Sequence, residues 1–264
     1  MLELIWYIII LAFLFETMDS AAGMGFGTCL APLLFLFGYN PLQVVPAILI
    51  SEAITGAIDS FFDHEFKNVR YQFFPLNDTT RVSLIIAFFG CIAIFTSIYL
   101  GYFALKFPDL IIKLYVAILV LIMGGLGLLR LKLMKLDIFK TRPKILILFS
   151  ALAGFNKGIG GGGYGPVITI GEVLSGVYEK SATAIVSFAE SLVSVTGIFT
   201  FFLISFAGIS IDLTILPSIF TGGFLAAVFS PYLVRVLPNK LWQYIIPIYA
   251  MFMGTISLIQ IYPF

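Results

Sequence analysis

The sequence predicts an all-α, multi-pass membrane protein built from two inverted-topology repeats. Three features lead to that expectation: a composition too apolar to coat a soluble domain, a train of hydrophobic segments along the chain, and a glycine-rich pattern that occurs twice. Of 264 residues, 60% are hydrophobic and only 11% charged, far less charge than a water-facing surface of this size requires. The solvent is therefore the lipid bilayer. A net charge of +1 and the absence of a long basic block give no reason to expect a nucleic-acid partner.

In chain order, apolar segments fall at roughly 4–22, 24–38, 42–62, 82–104 and 109–130, then at roughly 144–156, 162–176, 180–206, 212–235 and 241–261. The first has no Lys or Arg ahead of it, which predicts a retained membrane segment rather than a cleaved signal. The longer segments reach the ~20 residues that cross the hydrocarbon as a helix. Segments 24–38, 144–156 and 162–176 are too short, and 4–22 is marginal. The ten segments are thus read as eight full transmembrane helices plus short broken or re-entrant ones. The short ones come in pairs joined by glycine clusters, and such breaks must be buried in protein or line a wet cavity.

The halves look like copies. "AAGMGFGTCLAP" at 21–32 resembles "NKGIGGGGYGP" at 156–166. Gly23, Gly25 and Gly27 align with Gly158, Gly160 and Gly162 at an offset of 135; Pro32 with Pro166, Gly38 with Gly176 and Glu52 with Glu190 then follow across small gaps. The expected organisation is an N-terminal repeat at 1–130, a linker at 131–143 and an inverted C-terminal repeat at 144–264. The stretch 130–144 carries Arg130, Lys132, Lys135, Lys140, Arg142 and Lys144 against Asp137 alone, so it is placed in the cytoplasm with both termini outside. Twelve of the fifteen basic residues then lie on the cytoplasmic side of an inner or plasma membrane.

The glycine clusters admit three readings. "GIGGGG" satisfies G-x-G-x-x-G, but no strand precedes it and the Lys-Ser/Thr pair of a phosphate loop is missing. Gly23/Gly27 and Gly158/Gly162 also form small-xxx-small patches for close helix approach, which leaves Lys157 unexplained, because an ammonium at depth needs an anion, a carboxylate or water. The third reading is an anion cradle, in which each cluster opens a helix and presents free N–H groups and a positive dipole end. Its expected members are Gly25, Gly27 and Thr28 at the first tip. Asn156, Lys157, Gly160, Gly161, Gly162, Gly163 and Tyr164 form the second.

With these motifs, its length and its repeated halves, the chain resembles the TauE/SafE family of sulfite exporters and related organosulfonate transporters, over 21–56 and 154–197 above all. The resemblance implies a transporter of a small sulfur-containing anion, commonly outward, with the lipid bilayer as its other partner. An anion channel and a membrane assembly or chaperone protein are the alternatives.

Acids inside apolar segments are the remaining signal. Glu16, Asp19, Glu52, Glu172 and Glu190 must each be protonated, paired or wet. Either one of Glu52 and Glu190 pairs with Lys157 to hold the fold, or one or both carry a coupling proton; Asp19 is a further proton candidate and a counter-charge for Lys157. His64 reads as a solvated loop residue, and Cys29 and Cys91 as packing residues. No Ser/His/Asp, Cys/His or HExxH arrangement appears, so neither an enzyme, a cofactor nor a metal is expected.

Overall fold

The computed structural model describes residues 4–23, 25–67, 69–133, 143–175, 179–236 and 239–261. Residues 134–142 of the expected linker, and Gly176, lie outside them. Among the described residues ten helices follow in order: α1 (Trp6–Ala22), α2 (Phe26–Leu36), α3 (Pro41–Glu65), α4 (Asp78–Ile98), α5 (Asp109–Leu133), α6 (Pro143–Gly160), α7 (Tyr164–Leu174), α8 (Glu179–Phe206), α9 (Leu216–Val236) and α10 (Asn239–Ile261). A π-helical turn at Tyr99–Ala104 prolongs α4. The chain is an all-α multi-pass membrane protein. Among the described residues, four stretches are long and apolar enough to cross a bilayer: Pro41–Glu65, Asp78–Ala104, Asp109–Leu129 and Ala184–Phe206. Exposed apolar side chains such as Phe88, Ile92 and Phe95 on α4 suit helices whose outer face meets lipid.

Local chemistry sets the helix ends. Asn40 and Gln43 form a capping box with Pro41 at the first position of α3, and the Asn77 side chain accepts the Thr80 N–H at 2.9 Å to start α4. The loop before α9 is tied to the start of α3, where the Gln43 amide donates to Asp212. The Thr214 N–H donates to the same carboxyl at 2.9 Å; that backbone bond, helped by the Thr214 hydroxyl and Gln43, holds Asp212 below the usual carboxylate range. His64 belongs to the last turn of α3 rather than to a loop, and its Nδ1 accepts the Tyr71 N–H at 3.1 Å.

The packing repeats itself. Helix α1 lies along α9 as α6 lies along α4; α3 meets α9 as α8 meets α4; α2 touches α10 as α7 touches α5. The pairs α3–α8 and α5–α10 join the two sets. Adding five to any helix number, and returning past ten, takes each of these pairs to another or to itself.

From α1 to α4 one offset underlies the match and corrects the alignment given above; α5 and α10 are related instead by 130, which takes Asp109 to Asn239 and Gly124, beside Met251, to Gly254, beside Leu121. Adding 138 takes α2 from Phe26–Leu36 to Tyr164–Leu174, which is α7; it takes Pro41 to Glu179 and Asp78 to Leu216, the first residues of α8 and α9. It also takes Glu52 to Glu190. Gly23, Gly25 and Gly27 therefore correspond to Gly161, Gly163 and Gly165, not to Gly158, Gly160 and Gly162. Backbone conformation decides this. Gly23 (φ 66°) follows the last residue of α1 and Gly161 (φ 76°) the last residue of α6, the left-handed helix stop that glycine favours. The segment expected at 144–156 consequently runs on to Gly160. Gly158 and Gly160 lie inside α6, where a Cβ would strike Ser97 Oγ and Val116 respectively; they serve close packing rather than the break.

Candidate functional site

The two helix breaks meet. A Cβ on Gly27 would overlap the Gly161 carbonyl oxygen, and one on Gly162 the Gly27 carbonyl oxygen. The backbones thus touch with nothing but glycine between them. The Thr28 hydroxyl accepts the Gly163 N–H at 3.1 Å across the contact. At 11 residues each, α2 and α7 are only about 16 Å long, half the thickness of a bilayer core.

Lys157, in the last turn of α6, points to this crossing and is 0% exposed. Its ammonium donates to Glu52 Oε2 at 2.5 Å and to Glu190 Oε1 at 2.6 Å. These carboxylates stand midway along α3 and α8, at positions related by the 138 offset. The Gly27 backbone N–H faces the Glu52 carboxyl, and a Cβ on Gly27 would lie 3.0 Å from Glu52 Oε1. The Tyr164 ring lies 5.5 Å from the ammonium, within cation–π range.

The structure brings together some of the residues expected at the two tips and not others. Gly27, Thr28, Lys157, Gly161, Gly162, Gly163 and Tyr164 are gathered at the crossing. Gly25 is the residue before α2. Asn156 and Gly160 belong to the end of α6, where the Tyr115 hydroxyl donates to Asn156 Oδ1. Several N–H groups are already spent, that of Gly161 on the Lys157 carbonyl at 2.8 Å and that of Gly163 on Thr28. The ion pairs of Lys157 go to Glu52 and Glu190. Asp19 instead accepts the Phe26 N–H at 3.4 Å, at the start of α2.

Sequence reasoning passed over Asp59. It lines a small cavity with Glu16, Asp19, Glu52, Thr55, Gly56, Ser187 and Glu190, and the available signal was its spacing of two turns from Glu52 on one helix face. Among the described residues no three His, Cys, Asp or Glu side chains converge as a metal site.

A model of the family described as sulfite exporter TauE/SafE matches residues 8–258. The chain belongs to the TauE/SafE family. It is also similar to a Bacillus subtilis (strain 168) protein described as "Probable membrane transporter protein YtnM", 27% identical over 232 residues that cover 83% of this chain and 71% of that protein. No solved structure matches it. As a TauE/SafE protein the chain is a membrane transporter, which implies a small-molecule substrate and a lipid surround. The family match spans both helix breaks, so the crossing and its buried Lys157 belong to the TauE/SafE region of the chain.

Proposed function

We propose that this chain exports a small sulfur-containing oxyanion, such as sulfite or an organosulfonate, across the inner or plasma membrane by alternating access around the crossing. One observation supports the reading above others. The Glu52 carboxylate, an oxyanion of the protein itself, sits between the Lys157 ammonium and the Gly27 N–H, donors suited to a substrate anion. A substrate displaces Glu52 from the ammonium. The displaced carboxylate takes up a proton, because an unpaired buried charge costs several kcal/mol. Anion binding and proton uptake are thereby coupled, with Glu190 and Asp19 as neighbouring acids that share the proton. In this reading the chain divides into repeats at 1–130 and 144–264, joined by a cytoplasmic linker, with both termini outside; the exchange symmetry of the packing supports the division. The full burial of Lys157 and the backbone contact at the crossing favour a carrier over an open anion channel.

The test is anion binding and counterflow in liposomes with sulfite and a panel of organosulfonates. Lys157→Ala should weaken binding by roughly 10–150-fold, the worth of a charge-assisted hydrogen bond. Glu52→Gln should do the opposite, strengthening binding at neutral pH and flattening its rise toward acid pH. A folded Glu52→Gln protein that loses affinity as Lys157→Ala does would overturn the reading, because the carboxylate would then not be the anion's rival.

A further inference from the structure

We propose that the cavity between α1, α3 and α8 is a binding site for a sodium-sized monovalent cation, held by Glu16, Thr55 and Asp59. It lies beside the Lys157 pairs but goes beyond them and does not depend on which anion is carried.

The donors are arranged as a cage. Glu16 and Ser20 stand one turn apart on α1, and Thr55 and Asp59 one turn apart on α3, so each pair shares a helix face. The Ser20 hydroxyl donates to Asp59 Oδ2 at 2.7 Å and ties the two helices together. Gly56 lets α8 close the third side, since a Cβ there would come within 3.0 Å of the Ser187 carbonyl oxygen. The space between them holds about one water-sized sphere.

The independent sign of a ligand is unused donor capacity. Glu16, Thr55 and Asp59 are 2%, 1% and 7% exposed, yet Glu16 Oε2, Thr55 Oγ1 and Asp59 Oδ1 have no hydrogen-bond partner among the described residues. The Thr55 hydroxyl is turned toward the Glu16 carboxyl. Orphaned oxygens of this kind are costly, and the three residues that carry them line the same space. Only oxygens converge there, which is hard-cation chemistry. Carboxylates and a hydroxyl around so small a volume suit a single charge better than the six or more oxygens and larger cage of a calcium ion. The five carboxyl groups lining the cavity face one ammonium, that of Lys157, so added positive charge is favoured in a low-dielectric surround.

The other half of the molecule is an internal control. The 138 offset carries Glu16, Ser20, Thr55 and Asp59 to Gly154, Gly158, Val193 and Gly197. There the same region is closed by packing: a Cβ on Gly154 would strike the Gly90 backbone, and one on Gly197 would meet Ile94, Leu49 and Ile98. The fold does not need acids at these positions, and only one half has them.

The experiment is equilibrium binding of ²²Na⁺ to the purified full chain in nanodiscs, without substrate anion, at constant ionic strength in choline chloride. Saturable binding displaced by sodium, and at least tenfold more weakly by potassium, is expected. Thr55→Val and Asp59→Asn should each raise the half-displacing sodium concentration roughly tenfold or more. Thr55→Ser should bind like the parent, as should Thr17→Val, which removes a hydroxyl on α1 that is spent on the Phe13 carbonyl. No saturable sodium binding by the parent, or unchanged binding in folded Thr55→Val and Asp59→Asn proteins, would overturn the proposal. Because no substrate anion is present, either result leaves the competition between Glu52 and substrate standing on its own test.

Discussion

At Lys157 a long, charged side chain is wholly enclosed, and its ammonium is sustained there by two carboxylates from different helices. Removing the cation alone leaves Glu52 and Glu190 facing each other, the situation in which breaking a buried pair costs about 3–5 kcal/mol. Lys157→Met should therefore lower the melting temperature in detergent sharply. Adding Glu52→Gln and Glu190→Gln should restore most of the loss, since uncharged groups of similar volume replace buried ions at little net cost. Transport should stay absent in the triple variant. If the triple variant is no more stable than Lys157→Met, the damage lies in lost packing of the lysine stem and not in stranded charge.

Among the elements, the glycine breaks set how closely the two halves approach. Gly162→Ala should cost on the order of 1–3 kcal/mol, as overpacking does, because the added carbon meets the Gly27 backbone and not a side chain that can swing away. Gly125→Ala is the contrast: nothing lies within 4 Å of its Cβ position, and helix propensity favours alanine. Thermal unfolding of the two proteins should differ in sign or nearly so, and equal effects would count against the tight crossing. Most segment positions were legible in the sequence, since apolar runs of bilayer length leave little choice of element. The end of α6 was not. Glycines that stop a helix and glycines that pack inside one are the same letter, and Gly158 and Gly161 are told apart only by φ and by what stands beside them. The acids at Glu52 and Glu190 were recognisable as equivalent. That both would grip one lysine was open in the sequence, because it depends on α3 and α8 packing together.

For the whole molecule, the orientation rests on the distribution of Lys and Arg. Single cysteines in a background lacking Cys29 and Cys91 test it: Arg70→Cys and Asp137→Cys should react only from the cytoplasmic face, and Ser210→Cys only from outside. Labelling of all three from one side would remove the inverted arrangement. The offset that relates the halves also bears on charge balance. It pairs Glu52 with Glu190, like with like, but Asp19 with Lys157, opposite with opposite. A dimer made of two copies of the first half would bring four carboxyl groups to its centre and no cation. A dimer of two copies of the second half would bring two lysines and two glutamates, which balance. The charge at the crossing is thus balanced within the second half alone, whereas the acids of the first half depend on a lysine from the other.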